Sequence, residues 1–230
     1  MIDKLILLAG GLATRLRPVT ETIPKSLIDI NGKPFIDYQI DLLKRKGIKK
    51  LIICVGYLGE QIEYHLKDRK DYGIKIEFSY DGDELIGTGG AVQKAIKKTD
   101  GIFWVMYGDS YLDTDFEKIS SYFELNRNKG LMTVFNNLDK WDSSNVVFEN
   151  GKIIKYDKIN KTKDMKYIDY GLSIFREEAF ESFKELKKFD LAEVHRKLLS
   201  ENELLGFEVN ERFYEVGSFN GIEEFKSYIA

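Results

Sequence analysis

Leu5-Ile6-Leu7-Leu8-Ala9 runs directly into Gly10-Gly11-Leu12-Ala13-Thr14-Arg15-Leu16-Arg17-Pro18-Val19-Thr20, and this junction decides how the rest of the chain is read. A short apolar run without polar alternation, stopped by glycines, predicts a strand buried on both faces of a parallel sheet. The pattern recurs. Leu51-Ile52-Ile53-Cys54-Val55 stops at Gly56, and Phe103 to Tyr107 stops at Gly108-Asp109. Ile74, Ile76 and Phe78 alternate with polar residues, as a strand nearer a sheet edge would. Helical stretches separate these runs. Phe35, Ile36, Ile40 and Leu43 recur at helical spacing with Gly47 as a stop, residues 59–66 follow the second strand, and Ala91 to Lys97 follow glycines 87, 89 and 90. Strands alternating with helices predict an α/β fold, a mostly parallel sheet with helices on both faces.

The later part differs. Val146-Val147-Phe148 and Ile153-Ile154 flank Asn150-Gly151, a pair suited to a type I′ hairpin turn. A further strand is expected over Tyr167 to Phe175, helices over 176–187 and 191–200, and a final helix presenting Ile222, Phe225 and Ile229 on one face. Asp115 reads as a helix-start acid and Asp113 as a loop acid. With no repeat and no Pro-, Gly- or Ser-rich linker, the expectation is a single domain over 1–230. Its first half, about 1–115, is succeeded by a β-rich half, about 116–230, folded over the sheet as a lid.

Bulk properties narrow the classes. The 230 residues carry a net charge of −3, so no basic surface invites nucleic acid. Cys54 is the single cysteine, which excludes an intrachain disulfide, and it reads as a small buried hydrophobe. No apolar stretch reaches the roughly 20 residues that cross a bilayer. The start, MIDKLILLAGG, lacks the basic region and cleavage site of a signal peptide, so the cytoplasm is the expected compartment and no membrane partner is expected. His65 and His195 both fall among charged neighbours in expected helices and read as surface residues.

In open α/β sheets ligands bind beyond the carboxyl ends of the strands, which makes the loop after the first strand the first candidate site. Its glycines let backbone N–H groups approach a phosphate, Arg15 can fork onto phosphate oxygens, and Lys25, in Pro24-Lys25-Ser26-Leu27, supplies a mobile positive charge. Turn glycines followed by surface cations are the plainer alternative. Neither the Gly-Lys-Ser/Thr of a P-loop nor a dinucleotide-binding GxGxxG is present.

The stretch as a whole, GGLATRLRPVTETIPKSL, resembles the signature GGxGTRLxPxTxxxPKxL of the sugar-1-phosphate nucleotidylyltransferase family, with Ala13 where glycine is usual. That departure matters only if the position needs a positive φ. Other resemblances follow in order. Gly87-Thr88-Gly89-Gly90-Ala91 is similar to the loop that receives the base. Gly108-Asp109 resembles the metal-binding aspartate, and Tyr156-Asp157-Lys158 the segment whose lysine meets the sugar phosphate. Ile168-Asp169-Tyr170-Gly171 stands where an Asn-x-Gly segment contacts the sugar, and Tyr214-Glu215-Val216-Gly217-Ser218 where a second metal-binding aspartate commonly precedes glycine. No left-handed β-helix follows, as in short members of the family.

The resemblance implies a Rossmann-like sheet with a β-rich sugar-binding lid, and Mg²⁺ as cofactor held by Asp109 and Glu215. Arg15, Lys25, Asp109 and Lys158 would be the catalytic residues. Leu8, Ala9, Gly10, Gly11, Leu12, Ala13, Thr14, Gly87, Thr88, Gly89, Gly90, Tyr107 and Gly108 would bind the nucleotide, and Lys158, Asp169 and Gly171 the sugar. The implied partners are a nucleoside triphosphate and a sugar 1-phosphate. The 13 tyrosines and 15 phenylalanines suffice for a homodimer contact as well as a core. Guanylyl transfer to heptose or mannose 1-phosphate is the closest likeness. Uridylyl or cytidylyl transfer to another sugar or polyol phosphate, and a silent sugar-nucleotide-binding regulatory subunit, remain open beside it.

Overall fold

The computed structural model describes residues 2–67 and 72–230. Strand β1 (Lys4–Leu8) leads through short 3₁₀ turns to a small ladder, β2 (Asp29–Ile30) and β3 (Lys33–Pro34). Then come α1 (Phe35–Arg45), β4 (Lys50–Val55), α2 (Gly59–Lys67), β5 (Lys75–Tyr80), α3 (Gly87–Ile96) and β6 (Ile102–Tyr107). The later part comprises β7 (Ser110–Tyr111), α4 (Phe116–Glu124), β8 (Gly130–Asn136), β9 (Val146–Glu149), β10 (Lys152–Tyr156) and β11 (Tyr167–Arg176). A 3₁₀ segment (Glu177–Phe183) precedes α5 (Leu191–Ser200), β12 (Leu204–Val209), β13 (Tyr214–Glu215) and α6 (Phe219–Ile229).

Strands β6, β1, β4 and β5 lie side by side in that order, all parallel. Helices cover both faces, as expected. Leu5, Leu7, Leu51 and Ile53 pack toward residues of α1, α2 and α4, while Ile6, Ile52 and Cys54 pack toward α3 and α5. Because both faces are buried, Leu5–Leu8, Leu51–Val55 and Ile102–Tyr107 are apolar throughout and read as unbroken runs, whereas edge strand β5 keeps Lys75, Glu77 and Ser79. A third cluster ties Leu16 in the first loop to Phe35 of α1, Tyr111 of β7 and Phe225 of α6.

The β-rich half, expected over the sheet as a lid, continues the sheet itself. β11 pairs antiparallel with β6 and β8, and β8 in turn pairs parallel with β12. The β9–β10 hairpin joins at the Tyr167 end of β11. Its turn is as expected, with Asn150 at φ 50° and Gly151 at φ 77°. Strands β8 and β12 are not among those expected, although Leu131 to Phe135 is apolar apart from Thr133. The helix expected over 176–187 is the shorter 3₁₀ segment, and glycines 87, 89 and 90 lie inside the first turns of α3 rather than before it.

Both histidines depart from the expected surface placement. His195 is fully buried, its Nε2 3.1 Å from the Ser173 hydroxyl, and burial lowers its pKa to about 4. It lies on the inward stripe of α5 with Val194 and Leu198, so helix phase outweighs its charged neighbours in sequence. His65 is largely covered, with Nε2 2.9 Å from the buried carboxylate of Asp37. No helix among the described residues is long and apolar enough to cross a membrane.

Candidate active site

The parallel strands end along one edge, where their loops meet. Leu8 stands in register between Cys54 and Tyr107, and a Cβ on Gly10 would sit 3.0 Å from the Gly56 nitrogen. Beyond this edge lies a cavity of about 230 Å³ lined by Leu8, Ala9, Gly10, Gly11, Lys25, Gly87, Thr88, Tyr107, Gly108 and Asp109 among the expected residues. Ser26, Cys54, Asp81, Leu85 and Ala91 line it as well. Burial, then Asp81, pushes the Cys54 thiol up, which leaves it protonated as a small hydrophobe.

Not every expected nucleotide residue reaches the cavity wall. Leu12 is exposed, and Ala13 and Thr14 belong to the loop and 3₁₀ turn beside it. Gly89 and Gly90 face the other way, their N–H groups donating to the Phe189 carbonyl at 3.0 and 3.3 Å. A Cβ on Gly89 would collide with the Phe189 ring, so this glycine serves close packing of α3. Thr88 turns its hydroxyl to the start of α5, accepting from the Leu191 N–H at 2.8 Å.

Ala13 adopts φ 48° and ψ 45°, the left-handed region. That conformation costs an alanine about 1 kcal/mol relative to glycine. Ala13→Gly is therefore expected to stabilise the protein by about 1 kcal/mol, raising the melting temperature about 3 °C in a thermal melt. An unchanged or lower melting temperature would contradict this reading of the loop.

Asp109 leaves the end of β6, and its Oδ2 accepts from Lys25 Nζ at 2.7 Å while Oδ1 accepts from the Ser110 hydroxyl at 3.2 Å. Burial alone would raise its carboxyl, yet the Lys25 ammonium and the Ser110 hydroxyl hold it below its ordinary value. Glu215 comes to it across the β7–β13 ladder, where Glu215 pairs with Ser110 and the Val216 N–H donates to the Asp109 carbonyl at 2.9 Å. Its carboxylate also accepts from the Gly217 N–H and the Ser218 hydroxyl, at the start of α6. The position a Cβ on Gly217 would take lies 2.6 Å from Glu215 Oε2, 3.0 Å from an Arg15 guanidinium nitrogen and 3.4 Å from Asp109 Oδ2. Two carboxylates and two cations thus converge from four separate segments.

That donor set fits Mg²⁺. The ion prefers hard oxygen ligands and is commonly held by one or two carboxylates, with phosphate oxygens and water completing its shell. Among the described residues no cluster of three or more His, Cys, Asp or Glu side chains offers an all-protein cage.

A second cluster adjoins the first through Tyr107. Lys158 Nζ donates to the Tyr107 hydroxyl at 2.8 Å and stands 3.8 Å from Asp169 Oδ2. Burial would lower the Lys158 pKa, but Tyr107 and Asp169 hold it above its ordinary value. Gly171 has φ 92° at a register shift in β11, and a Cβ there would lie 3.1 Å from the Tyr107 ring. The glycine lets that ring lie against the strand.

The family model for nucleotidyl transferases matches residues 4–229. D-glycero-alpha-D-manno-heptose 1-phosphate guanylyltransferase of Campylobacter jejuni is 33% identical over 190 residues, covering 82% of each chain. UTP–glucose-1-phosphate uridylyltransferase of Synechocystis is 28% identical over 82% of this chain, which spans only 53% of that longer protein. The crystal structure of HddC from Yersinia pseudotuberculosis complexed with GMP-PN shares the fold, with a TM-score of 0.82, 22% identity and complete coverage of both chains. This chain therefore belongs to the nucleotidyl transferase family of enzymes, as its opening motif implies.

Proposed function

We propose that the protein transfers a guanylyl group from GTP to a heptose or hexose 1-phosphate, releasing pyrophosphate. The convergence of Arg15, Lys25, Asp109 and Glu215 at one point beside the cavity carries the transfer. An oxygen of the sugar phosphate attacks the α-phosphorus, and the bond to the β-phosphate breaks. Nucleophile, centre and leaving group are all anionic, so alignment and charge neutralisation are the main demands, with no serine or cysteine nucleophile needed. Arg15 and Lys25 hold the triphosphate and Lys158 the acceptor's phosphate. Asp109 and Glu215 would hold Mg²⁺, which supplies positive charge to the phosphate oxygens. The first half, about 1–115, supplies the nucleotide side and the remainder the sugar side of one domain working in the cytoplasm.

Guanine is supported by Asp81, which the sequence motifs do not single out. It follows β5, and β5 and β6, which leads to Asp109, are three strands apart, about 14 Å at about 4.8 Å per strand, so the two acids line the cavity from different strands. A carboxylate only accepts hydrogen bonds. The adjacent N1–H and N2–H₂ of guanine offer it two donors side by side, whereas on uracil, thymine, cytosine and adenine every donor of that edge is flanked by an acceptor. The names of the Campylobacter guanylyltransferase and of the GMP-PN complex point the same way.

Incubation with Mg²⁺ and each of GTP, UTP, CTP, dTTP and ATP against a panel of sugar 1-phosphates tests both parts, with pyrophosphate as the readout. Release with GTP and one acceptor is expected. Asp81→Asn should lower kcat/KM for GTP about 10- to 100-fold relative to UTP, the worth of one bidentate base contact. Preference for another base would overturn the guanylyl assignment. A silent panel with retained nucleotide-sugar binding would favour a regulatory subunit.

A further inference from the structure

The segment corresponding to the sugar-contacting Asn-x-Gly holds an aspartate whose surroundings fit a different task. The Asp169 side chain is only 3% exposed. Its Oδ2 accepts from the Tyr156 hydroxyl at 3.1 Å, and its Oδ1 accepts from the Gly171 N–H at 3.1 Å. Its own N–H donates to Asn145 Oδ1 at 2.9 Å. Tyr156 is buried in turn, edge-on to the His195 ring at 5.6 Å. A carboxylate enclosed on these sides presents little surface to a sugar hydroxyl. Left unpaired it would be costly, and the cation beside it is Lys158, 3.8 Å away. Lys158 is gripped from a second side by the Tyr107 hydroxyl and lies 4.9 Å over that ring. Tyr107 also lines the nucleotide cavity, two residues before Asp109.

We propose that Asp169 is a positioning residue: with Tyr107 and Tyr156 it holds the Lys158 ammonium at the acceptor side of the cavity, and it does not itself touch the sugar. Of the three N–H donors on Lys158, one goes to Tyr107 and one faces Asp169, which leaves one for an acceptor oxygen. A lysine on a flexible stem is thereby oriented before the acceptor arrives, so less freedom is lost on binding. The ligand matched to this cradle is a dianionic phosphate, bound through its charge. Only the identity of what Lys158 meets rests on the proposed transfer reaction. The cradle belongs to the free protein.

Two measurements test it. The first is trace acylation of the free protein with acetic anhydride at pH 8, read at Lys158 by peptide mass spectrometry. The charged and titratable groups around this amine are Tyr107, Asp169, Tyr156 with its ring 6.0 Å away and, further off, Asp190 and the buried His195. With Asp169 present the amine stays protonated and reacts slowly. In Asp169→Asn its reactivity should rise about tenfold, and unchanged reactivity would overturn the cradle. The second is a double-mutant cycle on turnover. Asp169→Asn should raise KM for the sugar 1-phosphate about tenfold, leave KM for the triphosphate within twofold, and add nothing further in a Lys158→Ala background. Losses that multiply in that background would show Asp169 contacting the sugar directly and overturn the proposal. Silence of the wild-type protein would overturn the transfer reading, with the acylation result still deciding the cradle. If Asp169→Asn fails to fold, Tyr156→Phe removes only the phenol donor to Asp169 and should shift Lys158 reactivity the same way by a smaller factor.

Discussion

Asp109→Asn is expected to lower kcat about 10³-fold while leaving the fold intact. The substitution keeps the shape of the side chain and removes the charge that fits the site for Mg²⁺, so the electrostatic term acting on the transferring phosphate is what disappears. Its stability cost is small. The Lys25–Asp109 pair is partly exposed, with side chains 19% and 27% accessible, and a released Lys25 can turn into solvent. Pairs of this kind contribute roughly 0–1 kcal/mol. A thermal melt should therefore move by no more than about 3 °C, while pyrophosphate release collapses at saturating triphosphate and sugar phosphate. Turnover within tenfold of wild type would remove Asp109 from the site, and Glu215, which reaches the same point, would lose its assigned role with it.

Gly108→Ala is expected to damage the fold itself. A Cβ at this position would lie 2.5 Å from the Leu8 carbonyl oxygen, 2.9 Å from the Leu8 carbonyl carbon and 3.0 Å from Ala9 Cα. All three atoms are backbone of the neighbouring strand, and the Gly108 N–H donates to that same carbonyl at 2.9 Å. No side chain can move aside to make room. Relief requires β1 and β6 to part at the edge where the site is built, at a cost of about 3 kcal/mol. In a chain of this size that lowers the melting temperature by about 10 °C, and Asp109, the next residue, is displaced with the loop. Gly11→Ala is the matched control, because a Cβ there meets nothing within 4 Å and should change stability by no more than about 0.5 kcal/mol. Equal melting temperatures for the two variants would refute the close-approach argument.

Much of this molecule is legible in its residues because the central strands are buried on both faces. Burial removes polar alternation, so β1, β4 and β6 stand out as apolar runs, and the glycines that end them mark where backbones must approach one another. The hairpin at Asn150-Gly151 is legible for a local reason, since both residues take positive φ. Helix α5 is likewise declared at its start, where Asp190 and Glu193 form a capping box. His195 escaped because its neighbours in sequence are charged while its neighbours in space are Tyr156 and Phe175. Asp81, the proposed base contact, escaped because Asp83 and Glu84 follow it in the same loop and nothing local marks one of these acids over the others.

The sequence by itself determined the alternation of strands and helices, the loop that opens the site and the residue types able to bind phosphate, because these depend on local pattern and side-chain chemistry. Only the tertiary structure decided which of them meet. Glu215 reaches Asp109 through a two-residue ladder between segments a hundred positions apart. Gly89 and Gly90 turn from the cavity to Phe189, and Asp169 is enclosed by Tyr156 and Lys158. Such placements follow from the packing of β11 beside β6 and of α5 against α3. They are long-range contacts, and a one-dimensional spacing does not encode their distances.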